Sequence, residues 1–356
     1  MEMDNDLKLD WGLTDSMIND LRGYSSQAEQ EGRLTSEQLA IIYERKWFKL
    51  FVPKKYGGLE LTVPEGVRLE EKLAQIDGSL GWTVTLCGGA NLFVGYLDQS
   101  IAASIFLDPR VCFGGSGQAS GNAIIKNGGY EVTGKWRYAT GAPHNNWFTA
   151  NCTLEQDGKP IVDENGLPLV KSFFFAVKDV RIIEDWQVFG LKATASHSFE
   201  VEKLWVPKNQ SFVILPERAT LDNPLYRYPF VPFAEATLAA NTSGMAQHFL
   251  ACCDNLLKSH DAARTKLDEA ERKIQDVRAH FYHALDNSWE ELCDRKKVSE
   301  ERLRDIASLS RKLVMVSREQ VMILYPYCGM VAADPTTTIN RVWRDIFTAS
   351  QHKIFR

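Results

Sequence analysis

Tyr130–Asn151, Tyr-Glu-Val-Thr-Gly-Lys-Trp-Arg-Tyr-Ala-Thr-Gly-Ala-Pro-His-Asn-Asn-Trp-Phe-Thr-Ala-Asn, is the stretch on which the reading of this chain turns. Tyr130, Val132, Trp136, Tyr138 and Thr140 alternate with Glu131, Thr133 and Arg137. That is the period of a half-buried strand, and aromatic and β-branched side chains favour it. Gly134 interrupts the run where a hairpin would turn. Beyond it, Thr140-Gly141-Ala142-Pro143-His144 sets a hydroxyl, two small residues, a proline of fixed φ and an imidazole at a strand end. Small residues admit a close approach to the backbone, and proline stiffens the exit. Such an end suits a flat, hydrogen-bonding ligand; it reads equally as a polar loop between two strands.

Outward from this stretch, strand period holds from about Asp108 to Pro207, punctuated by Asn127-Gly128-Gly129, Asp157-Gly158 and Glu164-Asn165-Gly166. The polar segment from Glu155 to Leu169 reads as an exposed hairpin, and Phe173-Phe174-Phe175-Ala176-Val177 as a buried strand. Helical spacing dominates on either side. Thr35-Ser36-Glu37-Gln38 has the form of a helix start, and Leu69, Leu73, Ile76 and Leu80 lie on one helix face. After the proline-punctuated linker Pro207–Pro232, helices are expected over Ala234–Leu257, Ala262–Cys293, Arg302–Leu324 and Arg341–Ser350. The expected organisation is α+β: a helical unit over 1–107, a β-unit over 108–210, and a helical bundle over 211–356.

The chain has 356 residues, 44% hydrophobic and 24% charged, with a net charge of −5. These are the proportions of an ordinary globular protein. Without a basic patch, nucleic acid is not an expected partner. No run approaches the roughly 18 apolar residues of a spanning helix, and Met1–Asp6 is too acidic and polar for a secretion signal. Seven cysteines without CxxC spacing read as reduced thiols in a cytoplasm, and no metal set is evident.

Two further segments join the opening stretch. Phe113-Gly114-Gly115-Ser116-Gly117-Gln118-Ala119-Ser120-Gly121 precedes it, and Phe189-Gly190-Leu191-Lys192-Ala193-Thr194-Ala195-Ser196-His197-Ser198 follows it, leading into Phe199–Pro207. Together they resemble the central β-domain of the acyl-CoA dehydrogenase superfamily of flavoproteins. Val52-Pro53-Lys54-Lys55-Tyr56-Gly57-Gly58, followed by Leu73-Ala74-Gln75-Ile76-Asp77-Gly78-Ser79-Leu80-Gly81-Trp82, resembles a pairing in that family's N-terminal helical domain. The resemblance covers nearly the whole chain. It implies a central antiparallel, barrel-like β-domain and a C-terminal four-helix bundle, with FAD or FMN between them and a homotetramer or homodimer built on the bundle.

The resemblance also nominates residues. Thr140 matches the hydroxyl at flavin N5, with Tyr138 and Trp136 as walls; Gly115, Ser116 and Gly117 match the loop along the pyrimidine edge; Ser196 belongs to a third flavin-adjacent segment. Arg344, with Asp345, keeps an Arg-Asp landmark of the C-terminal region. Where the dehydrogenases carry a catalytic glutamate before a proline, this chain offers only Asp334 before Pro335. Further on, Ala349-Ser350-Gln351-His352 resembles the flavin-dependent monooxygenase branch, two-component enzymes that take reduced flavin from a separate reductase. His352 and His144 are then the catalytic candidates, suited to acid-base work near neutrality. His248, His260, His280 and His283 read as structural. With the usual base missing and histidines in the alternative positions, the expected function is a monooxygenase acting on a small aromatic or heteroatom-containing substrate; the alternatives are an acyl-CoA dehydrogenase with an atypical base and a flavin-less oligomeric binding protein.

Overall fold

The structure, a computed structural model, describes residues 11–258 and 261–356. Met1–Asp6 and His260 lie outside the described residues.

The N-terminal helices are set by their caps. α1 (Asp15–Glu31) starts at Thr14, whose hydroxyl accepts from the Met17 amide. α2 (Ser36–Glu44) starts in a full capping box between Thr35 and Gln38, as the sequence suggests. A second box, Thr62 with Glu65, opens α3 (Val63–Ile76). The face drawn through Leu69, Leu73, Ile76 and Leu80 does not belong to one helix. Asp77 turns extended (φ −153°, ψ 132°), ends α3 and caps α4 (Gly78–Asn91) by accepting from the Leu80 amide at 2.8 Å. α5 (Gln99–Phe106) closes this region.

The central region is one sheet of β1 (Phe113–Lys126), β2 (Gly129–Ala139), β3 (Trp147–Gln156), β4 (Lys159–Pro160), β5 (Val170–Ala176), β6 (Arg181–Ile183), β7 (His197–Pro207) and β8 (Ser211–Phe212). Its order is β6-β7-β2-β1-β3-β5-β8, with β4 on β3. The pairing is not wholly antiparallel, because β1 and β3 run parallel. Nor does Gly134 turn a hairpin. It lies inside β2, opposite Gly121 of β1. A Cβ at Gly134 or Gly121 would stand 2.6 or 2.1 Å from the Trp136 indole, so the paired glycines are the slot into which that ring packs. The glycine that reads as a break is a packing residue.

The C-terminal region comprises α6 (Pro224–Arg227), α7 (Phe230–Leu256), α8 (Asp261–Arg295), α9 (Glu300–Leu324), α10 (Gly329–Ala333) and α11 (Thr338–Ala349). The four longest fall where the apolar spacing puts them. α7 is buried along most of its length because it packs on both α3 and α9. Glu71 of α3 meets α7 and α8 through Ser243 (2.6 Å), Arg278 (2.8 Å) and Tyr282 (2.8 Å), a buried charge held by a saturated set of donors. No helix among the described residues is long and apolar enough to cross a membrane.

Candidate active site

Where the sheet meets α4 and α11 lies a cavity of about 730 Å³, within the usual range for a cofactor or small-molecule site. Its sheet wall begins in β1. The β1–β3 register shifts between Ser116 and Gly121, and Gly115, Ser116, Gly117 and Gln118 face the cavity at that irregularity. A Cβ on Gly117 would meet nothing within 4 Å, so this segment leaves room for a flat group along the backbone. At the end of β2 the pairing with β7 slips between Trp136 and Ala139, and Tyr138 takes a positive φ of 70°. That conformation, costly for a bulky residue, throws the ring out of the sheet against Trp186, at 6.0 Å.

Thr140 and Ser196 carry the polar centre. Their hydroxyls are 2.9 Å apart, and Ser196 lies 2.8 Å from the Thr194 hydroxyl, which itself lies 2.8 Å from the Leu191 carbonyl. Counting protons orders this relay. A carbonyl only accepts, so Thr194 donates to Leu191; Ser196 then donates to Thr194, and Thr140 to Ser196. Thr140 Oγ1 is left with its lone pairs for whatever fills the cavity.

The third wall is the loop from 184 to 191. Asp185 accepts from the Ser198 amide (2.8 Å) and hydroxyl (2.7 Å), and His197 Nδ1 accepts from the Trp186 amide (3.0 Å). Burial lowers the pKa of His197, in keeping with a neutral ring that holds this loop. On the far side, Leu191 N–H donates to Asp345 Oδ1 at 2.5 Å, and Arg344 donates to the Phe189 carbonyl at 2.6 Å and pairs with Glu29. Trp186, Val188, Phe189 and Leu191 are thereby fixed as apolar lining.

The roof is α11 and the residues after it: Thr348, Gln351, His352, Lys353 and Arg356, with Trp82 and Leu86 of α4 beside them. Half-buried His352 sits edge-on to Trp82 at 6.1 Å. Burial, with a smaller push from Lys353, lowers its pKa to about 4. Its Nδ1 accepts from the Ile354 amide at 3.4 Å, so the ring proton belongs on Nε2. His352 is therefore a neutral hydrogen-bond donor near pH 7, rather than the group titrating near neutrality that the sequence suggests.

The structure thus brings together Gly115, Ser116, Gly117, Tyr138, Thr140, Ser196 and His352. Four other candidates lie elsewhere. Trp136 is fully buried in the β-core, stacked on Phe199 at 5.1 Å, and is not a cavity wall. Arg344 reaches the site only through the Phe189 carbonyl. Asp334 is exposed between α10 and α11, where its carboxylate, held below the usual range by the Thr336 amide and hydroxyl, caps a turn. His144 lies behind the Thr140 turn, stacked on Phe48 at 5.3 Å. The sequence reading missed Trp186, Val188, Gln351, Lys353 and Arg356. None carries a local signal, because loop docking on α11 places them.

A planar tricyclic ring with hydrogen-bonding edges fits these walls. Aromatic and apolar side chains offer the faces, the 115–118 backbone one polar edge, and the Thr140–Ser196 hydroxyls another. The fold and site together define a flavin-dependent oxidoreductase with an acyl-CoA dehydrogenase-like fold. Residues 228–356 match the family model described as acyl-CoA dehydrogenase, C-terminal domain. The flavin-dependent monooxygenase oxygenase subunit HsaA of Mycobacterium tuberculosis is 24% identical over 95% of this chain and 89% of its own. Its crystal structure superposes with a TM-score of 0.90 and 21% identity, covering 97% of this chain and 94% of that one. The indole-3-acetate monooxygenase of Pseudomonas putida is 25% identical over 86% of this chain and 79% of its own. XiaF from Streptomyces sp., solved with FADH2 and glycerol, superposes with a TM-score of 0.86 at 22% identity, covering 96% and 90%.

Proposed function

We propose that this chain is the oxygenase of a two-component system that hydroxylates a small aromatic substrate, using reduced flavin received from a separate reductase. The observation that carries this reading is the order of the hydroxyl relay. A relay ending in lone pairs on Thr140 accepts a hydrogen bond, and the N5 position carries a hydrogen in reduced flavin but not in oxidised flavin. The site therefore favours the reduced ring, the form an oxygenase takes from its reductase.

The lining supports the same reading. Among the described residues it contains no Asp or Glu, so no carboxylate stands where an acyl-CoA dehydrogenase needs its base, and Asp334 is not part of it. Reduced flavin supplies the two electrons with which dioxygen is split, one oxygen entering the substrate and the other leaving as water. The chain's own residues do the rest. Thr140 and Ser196 would meet the N5 edge and the 115–118 backbone the pyrimidine edge. Trp82, Trp186 and Phe189 keep water out and give an aromatic substrate its faces. His352 donates from Nε2 to a substrate oxygen; with its pKa near 4 it is too weak a base to take a phenol proton.

The chemistry of FMN and FAD at this ring is the same, and the FADH2 bound by XiaF favours FAD. Free thiols throughout the described residues fit a cytoplasmic setting, and an exposed apolar face on α9 and α10 fits assembly into a homotetramer or homodimer. The experiment is stopped-flow mixing of the reduced flavin complex with oxygen. The expected result is a long-lived transient spectrum unlike either end state, with faster decay and product formation when a phenol or indole is added. Direct reoxidation with quantitative release of hydrogen peroxide, together with bleaching of bound oxidised flavin by acyl-CoAs, would establish the dehydrogenase reading instead.

A further inference from the structure

Behind the cavity wall, three side chains that the site does not use converge: Cys87 of α4, Cys112 just before β1, and His144 on the turn after β2. Their ligand atoms all lie within 4.8 Å of one another. Both thiols are fully buried. Among the described residues His144 Nε2 is buried without a hydrogen-bond partner, a state native structures seldom leave unexplained. The ring is oriented by stacking on Phe48, with an interplanar angle of 14°.

A fourth donor is in place. Asn145 Nδ2 donates to the Thr140 carbonyl at 2.8 Å, which turns Oδ1 toward the sulfurs, 3.2 Å from Cys112 Sγ and 3.6 Å from Cys87 Sγ.

We propose that Cys87, Cys112 and His144 form a site for a thiophilic divalent cation, zinc by preference, completed by Asn145 Oδ1 or a water. Two thiolates and an imidazole are a recognised donor set for a four-coordinate zinc ion. Bonds of about 2.3 Å to sulfur and about 2.0–2.1 Å to nitrogen put the donors of such a site under about 4 Å apart. The present spacing, within 4.8 Å, is slightly wider and would close on binding. Binding exchanges two thiol protons for the cation and needs no oxidant.

The site's place suggests what it does. Cys87 follows the cavity residue Leu86, Cys112 leads into the strand carrying Gly115, and the Thr140 carbonyl is 3.7 Å from Cys87 Sγ. A redox-inert ion here ties together the three elements that present the flavin wall, without entering the redox chemistry. CxxC spacing is absent because each ligand comes from a different element.

The test is titration of metal-stripped full-length protein with cobalt(II) under reducing conditions. One equivalent should produce near-ultraviolet thiolate-to-cobalt charge-transfer absorption and the visible bands of a tetrahedral ion. Zinc should abolish both and raise the Tm. Cys112→Ala should lose the absorption. The Cys253→Ala/Cys328→Ala double variant, which removes the other buried thiol pair at 3.4 Å, should keep it. Absence of the charge-transfer band in the wild-type chain at excess cobalt would overturn the proposal without relying on any variant. So would a band that survives Cys112→Ala, or formation of a Cys87–Cys112 disulfide in place of metal uptake on reconstitution in air.

Discussion

Thr140 and His352 are read in opposite ways by their surroundings. Thr140 faces the cavity with an acceptor because the Leu191 carbonyl, two hydroxyls away, dictates the direction of every proton between them. Thr140→Val removes that acceptor, and a hydrogen bond of this kind contributes about 0.5–1.5 kcal/mol, or roughly 2–10-fold in affinity. Anaerobic titration should show reduced flavin weakened by that factor, oxidised flavin nearly unchanged, and Thr140→Ser close to wild type. Equal weakening of both redox forms would remove the relay from the argument. His352, with its folded pKa lowered to about 4, binds fewer protons when folded than when unfolded between about pH 4 and its ordinary value of 6.5. Stability is therefore highest above pH 6.5 and falls as pH drops toward 4, while the neutral imidazole persists in the folded enzyme. The rate should show no acid limb near pH 6.5, since His352 stays neutral down to about pH 5. His352→Gln should flatten the acid-side loss measured by urea unfolding at pH 4.5 and 7, with the remainder owed partly to buried His248, whose pKa is also lowered to about 4.

At the scale of elements, the junction of α11 with the loop from 184 to 191 holds the site together, and its pivot is Asp345. This carboxyl accepts from Leu191 N–H on one oxygen and, among the described residues, has no hydrogen-bond partner on the other. Burial first, and the neighbouring Asp77 second, raise its pKa to about 8. A raised folded pKa means that the folded chain keeps a proton the unfolded chain releases. The stability from this group is therefore complete below about pH 4, declines as pH climbs toward 8, and is gone above it. Asp345→Asn mimics the protonated form and keeps the acceptor. Its Tm should match wild type near pH 5, exceed it at pH 9, and vary less between them; a wild-type Tm flat across that span would show that the carboxyl is ionised.

The same junction shows what the sequence could convey. Caps and apolar spacing marked the helices because those signals are local: Thr35 and Gln38 act within one turn. The cavity's sheet side was legible too, since Gly115–Gly117, Thr140 and Ser196 sit in strand-end segments whose composition is unusual. The failures were about direction. Trp136 and Tyr138 share a strand parity, but the register slip before Ala139 sends Tyr138 out and keeps Trp136 in. Gly134 looks like a turn because nothing in the sequence reveals that Gly121 lies opposite it. Asp334 and His144 were chosen by position relative to landmarks, and only the fold shows that one lies on an exposed turn and the other behind the wall.

For the whole molecule, the question is what covers the outer face of α9 and α10. Met315 and Met322, seven residues apart on one stripe of α9, are each more than half exposed; Tyr327, Met330 and Val331 extend the apolar surface, with Met330 83% exposed. Unbranched, polarisable methionine suits a surface that packs against another, and an exposed apolar patch of this kind is characteristic of an interface. None of these residues lines the cavity, so assembly and flavin binding can be separated by mutation. Light scattering coupled to size exclusion should give a homotetramer or dimer for wild type. Met322→Lys with Met330→Lys should yield a smaller species, because each charge would have to be desolvated on assembly. Reduced-flavin affinity in that species then divides two architectures: unchanged affinity means each chain holds the ring alone, whereas a loss of tenfold or more means a neighbouring chain supplies part of the cavity. A wild-type chain that elutes as a monomer at micromolar concentration would leave this face without its partner copy and end the assembly proposal.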